Sequence, residues 1–320
     1  MNISVDGGGL CATPIARYGN YTFTVNFLEA LSRYDKKNNF IVYSFCNSPI
    51  KLSRLRYKKL TPSIGWMKFR VPLEEYMQKN DYYLGLNQVA PFITPAKTIL
   101  FSHGLSFHKF PHMYENPQYF DTQLKKMVSR SHTIIVSSVR VKNEMLTLFP
   151  RVQNKICTIP FGIPFDMKNY KKVRREKYFI YVGMNAPIKN IEFIKKAFEM
   201  FKKDKEYADY KLHILTDPSV SRLKLRSLYA ASTACLTASH YESFNFPVIE
   251  ALSQRCPVIG LESALIPEVQ PFCSVARTQE EFVERMKKIA QRKTSFIDVK
   301  KLKKVFSWKT FVDTLQTVYV

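Results

Sequence analysis

The segment 228–269, LYAASTACLTASHYESFNFPVIEALSQRCPVIGLESALIPEV, constrains the fold more than any other part of the chain. Residues 234–239 form a short apolar run with a β-favouring centre, the pattern of a strand covered on both faces. The polar stretch 240–245 leaves it. From 246 to 254 the apolar residues fall at helical spacing, and Pro247 sits in the first turn, where a missing N–H has no partner to lose. Residues 257–261 make a second buried strand. Strand, helix and strand in this order form a right-handed parallel crossover. An α/β protein with parallel sheets is therefore expected, and such sheets bind ligands beyond the carboxyl ends of their strands.

Two glutamates sit at that end with different prospects. Glu242 lies in the loop after the strand, and Glu250 lies about one turn into the helix. Between them the amides of Phe244, Asn245 and Phe246 open the helix, and helix-opening N–H groups suit an anion. One short segment thus offers a carboxylate, a cradle for phosphate and a second carboxylate for hydroxyls. A sugar nucleotide presents sugar hydroxyls, a diphosphate and ribose hydroxyls in that same order. The same residues also serve without a ligand, because the helix dipole stabilises a first-turn glutamate and solvent stabilises a turn glutamate.

At 320 residues the chain is long enough for about two cores. Its 46% hydrophobic content excludes a disordered protein. No apolar run reaches the length of a membrane span and no charged-then-apolar leader opens the chain, so neither a spanning helix nor a signal peptide is expected. Cysteines 11, 46, 157, 235, 256 and 273 show no paired metal spacing, and buried thiols in a reducing compartment are the expectation. Charge is the unusual feature: 49 Lys and Arg against 26 acids give +23, which favours polyanions, anionic bilayers or phosphate-bearing substrates. The basic runs 54–59, 171–177 and 300–304 are, one by one, ordinary solvated faces.

Along the chain, a strand at 2–6 runs into Gly7-Gly8-Gly9 and a helix at 20–33, the arrangement that brings backbone close to a phosphate. A strand at 40–45 follows. Residues 51–70 are less regular and mix basic residues with Tyr57, Trp66 and Phe69, which suits a membrane interface, a nucleic acid or a sheet edge with snorkelling side chains. The strand at 97–101 ends in Ser102-His103-Gly104, where a histidine could donate to a sugar hydroxyl or rest on local backbone. Helices at 117–128 and 139–148 flank a strand at 133–138, and 155–159 is another strand. The polar stretch 166–177 reads as a linker. Beyond it come strands at 178–182 and 211–216, helices at 190–201 and 221–231, then a strand at 273–276 and a helix at 280–291. A last helix begins near Phe306-Ser307-Trp308.

The combination of Ser239, Glu242, Phe244, Pro247, Glu250, Ala251, Pro257, Val258 and the 266–269 sequence Ile-Pro-Glu-Val resembles the donor-site signature of the "group 1" glycosyltransferases of GT-B fold. Tyr181-Val182-Gly183 followed by Lys189-Asn190 resembles that family's phosphate-binding loop, and Phe306-Ser307-Trp308 its entry to the terminal helix. Three positions depart from the pattern: Asn245 stands where the family has glycine, and Met184 and Ile188 stand where it usually has a second cation. The resemblance implies two doubly wound Rossmann-like lobes facing across a cleft. It places the acceptor-side lobe at 1–165, the donor lobe at 166–305 and a helix at 306–320 that crosses back to the first lobe.

It also implies transfer of a sugar, with retention, from a nucleotide sugar (GDP-mannose or a UDP-sugar) to a hydroxyl on a glycan or lipid-linked glycan, without a metal or other cofactor. By the same resemblance Lys189, Glu242 and His103 are the catalytic candidates. Glu250, Gly183, Ser243, Phe244, Asn245, Phe246 and, from the first lobe, Gly19 are the donor-binding candidates. A cytoplasmic protein, held peripherally on an anionic membrane face, fits the charge. Two other readings stay open: a catalytically weakened relative that binds sugar nucleotides or glycans, favoured by Met184, Ile188 and Asn245, and a basic nucleic-acid binder. The dispersed basic runs and the lack of a recognition motif count against the second.

Overall fold

The computed structural model describes residues 1–167, 173–292 and 297–319 of the chain. These fall into two compact units, 1–161 with 308–320, and 162–307. Part of the expected linker and the start of the 171–177 basic run lie outside the described residues.

The first unit is built on seven parallel strands: β1 (Asn2–Asp6), β2 (Asn39–Ser44), β3 (Leu55–Lys59), β4 (Tyr82–Gly85), β5 (Lys97–Ser102), β6 (Thr133–Val136) and β7 (Ile156–Thr158). Their order is β3-β2-β1-β4-β5-β6-β7. The chain thus winds outward in one direction from β1 and then returns to β1's other side with β4. That reversal makes the carboxyl ends of β1 and β4 the natural crevice of the sheet. Helices α1 (Gly19–Tyr34), α2 (Arg70–Gln78), α3 (Ser106–Lys109), α4 (Pro117–Arg130) and α5 (Val139–Leu148) make the connections. The central strands are buried because helices cover both faces; Val5, Leu84, Ile99 and Ile135 are fully buried, and so are the polar Ser4, Asp6 and Ser102.

Two elements lie in the region expected to be irregular. Strand β3, LRYKK, buries only Leu55 and sits at the edge of the sheet, where lysines on an open edge discourage further pairing. Helix α2 begins within the same stretch, and its apolar residues are divided between a buried and an exposed side. A second difference concerns the cysteines. Cys11 and Cys46 are joined in a disulfide, so the expectation of six reduced thiols is corrected for this pair. The bond ties the turn after β1 to the exit of β2, two elements already brought together by the parallel pairing of β1 and β2. Cys157, Cys235, Cys256 and Cys273 are free, and burial pushes their thiols up.

The second unit holds a five-stranded parallel sheet of β8 (Tyr178–Val182), β9 (Lys211–Leu215), β10 (Ala234–Thr237), β11 (Val258–Leu261) and β12 (Ser274–Ala276), in the order β12-β11-β10-β8-β9. Here the reversal falls between β8 and β10. Helices α6 (Ile191–Lys202), α7 (Arg222–Ala231), α8 (Phe246–Ser253), α9 (Gln279–Ala290) and α10 (Val299–Val305) pack around it. Phe179, Phe201, Tyr207 and Tyr210 form its aromatic centre, with the Phe201 and Tyr207 rings stacked at 4.3 Å.

After α10 the chain rejoins the first unit through α11 (Trp308–Gln316), which packs against α1. The joint is aromatic: Trp308 stacks parallel to Phe161 at 6.2 Å, and Phe311 meets Phe27 edge-on at 5.8 Å. Trp308, Phe311, Val312 and Leu315 recur at helical spacing and are all buried, which is why so short a terminal helix is held.

Candidate functional site

In the second unit the strand reversal gathers most of the expected residues. Strand β8 ends at Val182, and Gly183 follows with its N–H donating to the Leu215 carbonyl at 3.1 Å. A Cβ at this glycine would meet the Tyr181 hydroxyl at 2.7 Å. That hydroxyl donates to the Met184 carbonyl at 3.1 Å, and burial pushes its phenol well above the usual range. The loop then tightens into a turn at Pro187–Lys189 and enters α6 through Asn190, whose φ of +52° is the left-handed conformation asparagine tolerates best.

That turn aims Lys189 at the neighbouring strand's exit. Its Nζ donates to Glu242 Oε1 at 2.6 Å, and the Ser239 hydroxyl donates to the same oxygen at 2.7 Å. The His240 N–H, donating to the Ile188 carbonyl at 2.9 Å, knits the two loops together. The Lys189 and Glu242 side chains are only 23% and 9% exposed, so the pair is held largely out of water. Ser243 and Phe244 continue the same turn, and Phe244 packs edge-on to Phe246 at 5.0 Å.

Asn245 precedes the first residue of α8 with φ −102° and ψ 90°. An ordinary negative φ suffices at this position, so its backbone does not require glycine. Its side chain is buried and donates to Thr237 Oγ1 at 3.2 Å and toward the Ala264 carbonyl at 3.4 Å, so it ties the turn to β10 and to the loop after β11.

Glu250 is 2% exposed on α8, one turn beyond this point. Its closest partner is Arg222, at the start of α7, whose Nη2 donates to Glu250 Oε1 at 2.6 Å while its Nε donates to Asp166 at 2.7 Å; the Tyr229 hydroxyl donates to the other Glu250 oxygen at 3.5 Å. Two charge pairs therefore bracket the first turn of α8: Lys189–Glu242 ahead of it and Arg222–Glu250 just beyond it. Arg222 escaped the sequence reading. It lies 28 residues from Glu250, in a helix whose pattern carries no hint of a buried acid opposite, and Asp166 reads as a linker residue.

The two candidates of the first unit are placed differently. His103 follows β5 and packs edge-on to Phe23 at 5.0 Å, with its Nε2 donating to the Leu86 carbonyl. Burial lowers its pKa, so the ring is neutral and Nδ1 is left as an acceptor. Gly19 is the first residue of α1, and nothing lies within 4 Å of a Cβ built there, so the fold does not itself require glycine.

No family model matches the chain. Among curated proteins it is 27% identical over 247 residues to the "Probable sucrose-phosphate synthase" of Thermosipho melanesiensis, covering 65% of this chain and 55% of that protein. It is 26% identical over 189 residues to the O-antigen chain mannosyltransferase RfbU of Salmonella typhimurium, covering 52% of each. The chain thus spans about half the length of the curated relatives it matches. Among solved structures, the sucrose-phosphate synthase of Thermosynechococcus elongatus superposes with a TM-score of 0.73 over 99% of this chain and 98% of that one, at 15% identity.

Proposed function

Because this chain has the GT-B fold shared by its glycosyltransferase neighbours, we propose that it moves a sugar from a nucleotide-sugar donor to an acceptor hydroxyl, with retention at the anomeric carbon. The observation that carries this reading is the Lys189–Glu242 pair at the reversal of the second sheet, directly ahead of α8. A diphosphate carries more charge than one carboxylate and is the stronger partner for Lys189. Its arrival leaves Glu242 and Ser239 to the hydroxyls of the donor sugar, while Ser243 and the Phe244–Phe246 turn meet the phosphates at the positive end of the helix. Glu250 takes the ribose hydroxyls. Gly183 gives the diphosphate room beside β8, Gly19 contacts the donor from the start of α1, and His103 accepts from a sugar hydroxyl through Nδ1.

In the step itself the bond from the anomeric carbon to the diphosphate breaks and the acceptor oxygen bonds that carbon on the same face. The acceptor proton passes to a phosphate oxygen, so the products are a glycoside and a nucleoside diphosphate. Lys189 and α8 stabilise the charge that develops on the leaving group, so this proposal needs no metal. GDP-mannose heads the donor candidates, in keeping with the mannosyltransferase among the relatives, and UDP-sugars follow.

A thermal-shift panel of GDP- and UDP-sugars is expected to single out one donor, because a ligand at a hundred times its Kd stabilises by about 2.7 kcal/mol. Release of nucleoside diphosphate from that donor, unchanged by EDTA, completes the test. Stabilisation by no nucleotide sugar overturns the reading. A donor that binds but is neither transferred nor hydrolysed favours the weakened relative instead. Met184 and Ile188 favour that second reading, since the loop offers Lys189 and no second cation of its own.

The acceptor belongs to a glycan or lipid-linked glycan in this proposal, and the protein works at an anionic membrane face. Among the described residues no helix is long and apolar enough to cross a membrane. Helix α2 instead turns Leu73, Tyr76 and Met77 outward, beside the exposed Ile64 and Phe69, with Lys68 and Lys79 close in sequence. Exposed apolar residues rimmed by lysines suit the headgroup boundary. Sedimentation with vesicles containing an acidic phospholipid is expected to carry the protein down, and Leu73→Glu with Met77→Glu to weaken this about tenfold. Equal sedimentation of the double variant removes α2 from the contact.

A further inference from the structure

The first sheet has its own reversal, between β1 and β4, and a cavity of about 950 Å³ opens there. Its floor is Asp6, the last residue of β1, which is 1% exposed. Asp6 accepts from the Gly8 N–H at 2.8 Å and from Asn87 Nδ2, just beyond β4, at 2.7 Å. Burial raises the Asp6 carboxyl above the usual carboxylate range, against the lowering effect of these hydrogen bonds. A carboxylate and an amide converging at the bottom of a strand-end crevice are the groups that bind a polyol.

One wall is aromatic. Trp66 and Phe45 line the cavity and meet edge-on at 5.3 Å. A Cβ at Gly8 would stand 3.0 Å from both Asp6 Oδ1 and the Trp66 ring, and one at Gly9 would collide with the Thr24 hydroxyl. The glycine run after β1 thus keeps the floor and the ring within reach of one ligand. Cys11, bonded to Cys46, fixes the next part of the wall.

The remaining charge is one-sided. Lys68, Lys126 and Arg130 line the cavity against Asp6 alone among acids. None of these three cations is in an ion pair among the described residues. Arg130 is positioned by the Pro91 carbonyl at 3.2 Å and by the Phe92 ring, 5.2 Å from its guanidinium. A neutral sugar would use the floor and the ring and leave three cations unmatched.

We infer that this cavity binds a saccharide bearing a phosphate or a similar oxyanion: Asp6 and Asn87 hold ring hydroxyls, Trp66 packs on the ring, and Lys68, Lys126 and Arg130 meet the anionic group. Calling this ligand the acceptor rests on the transfer reading above; the binding itself does not. A free sugar phosphate and a lipid headgroup both carry such an oxyanion, and the experiment separates the two.

Titration calorimetry of the full chain with mannose 6-phosphate and glucose 6-phosphate is set against the parent hexoses and inorganic phosphate. Phosphatidylinositol in phosphatidylcholine vesicles provides the lipid arm, and the best nucleotide sugar is titrated in the same samples. For a free ligand, a hexose phosphate binds at least about tenfold more tightly than either hexose or phosphate alone, a difference of about 1.4 kcal/mol. Lys68→Glu with Lys126→Glu, both exposed, abolishes that margin and leaves nucleotide-sugar affinity unchanged. For a lipid ligand, phosphatidylinositol vesicles bind more tightly than phosphatidylserine vesicles of equal charge while the free hexose phosphates do not bind, and Trp66→Ala with Lys126→Glu removes that preference. Hexoses binding as well as their phosphates, phosphate alone binding as well as the sugar phosphates, or binding indifferent to the charge reversal overturns the inference. Loss of nucleotide-sugar binding with the sugar-phosphate site intact would instead remove the transfer reading and leave this site in place.

Discussion

Lys189→Ala is expected to lower kcat for sugar transfer about 10²- to 10³-fold while raising the donor KM less than about tenfold, the pattern for a donor aimed at charge that develops in the transition state. The ground-state diphosphate is already charged and is also held by the first turn of α8, so losing one cation costs binding little. The leaving group gains its extra negative charge only as the glycosidic bond breaks, and there Lys189 is the cation the loop supplies. The substitution also leaves Glu242 without its lysine, and removing one partner of a partly buried pair destabilises the fold. Ser239 still donates to Glu242 at 2.7 Å, which limits the damage. Near-ultraviolet circular dichroism at the assay temperature checks that the variant is folded. Lys189→Arg keeps the charge but not the compact geometry, and is expected to recover part of the rate. A kcat within about threefold of the parent for Lys189→Ala, against the loss expected of a single such group, removes Lys189 from the leaving-group role.

Much of the second sheet was legible because a strand buried on both faces writes itself as an apolar run. Residues 234–239 and 257–261 are the examples, and the structure places β10 at Ala234–Thr237 and β11 at Val258–Leu261. Pro247 marked the start of α8 for a local reason that holds in any context. What escaped depends on partners far along the chain. Strand β3 exists because β2 offers it an edge; LRYKK alone has one buried residue and no alternation to announce it. The Cys11–Cys46 bond, 35 residues apart, follows from the pairing of β1 with β2, which no spacing rule encodes.

The same limit applies to the sites. Lys189 and Glu242 could be named because each lies in the loop that follows a legible strand and the resemblance joined them, but the 2.6 Å contact between them depends on β8 lying beside β10. Asp6 carried no signal at all beyond ending a strand before three glycines. Its significance comes from β4 returning to the far side of β1, which brings Asn87 to it across 81 residues.

Glu250→Ala is expected to raise the donor KM about 30-fold with kcat nearly unchanged, from the roughly 2 kcal/mol of a hydrogen bond to a charged group. Ribose hydroxyls do not change charge in the reaction, so contacts to them hold ground and transition states equally and appear in KM. The confounding element is Arg222, which reaches Glu250 Oε1 at 2.6 Å and Asp166 through its Nε. If Glu250 serves only to anchor that arginine, Arg222→Met should weaken donor binding as much as Glu250→Ala does. If Glu250 itself meets the ribose, Glu250→Gln keeps part of the affinity because an amide oxygen still accepts, and Arg222→Met perturbs stability more than KM. Deoxyribose donors sharpen the distinction. Removing a hydroxyl that Glu250 accepts from should cost the parent protein affinity and cost Glu250→Ala almost nothing, since the partner is already gone. Equal losses in the two proteins place the ribose elsewhere and leave Glu250 as the buried half of a structural pair.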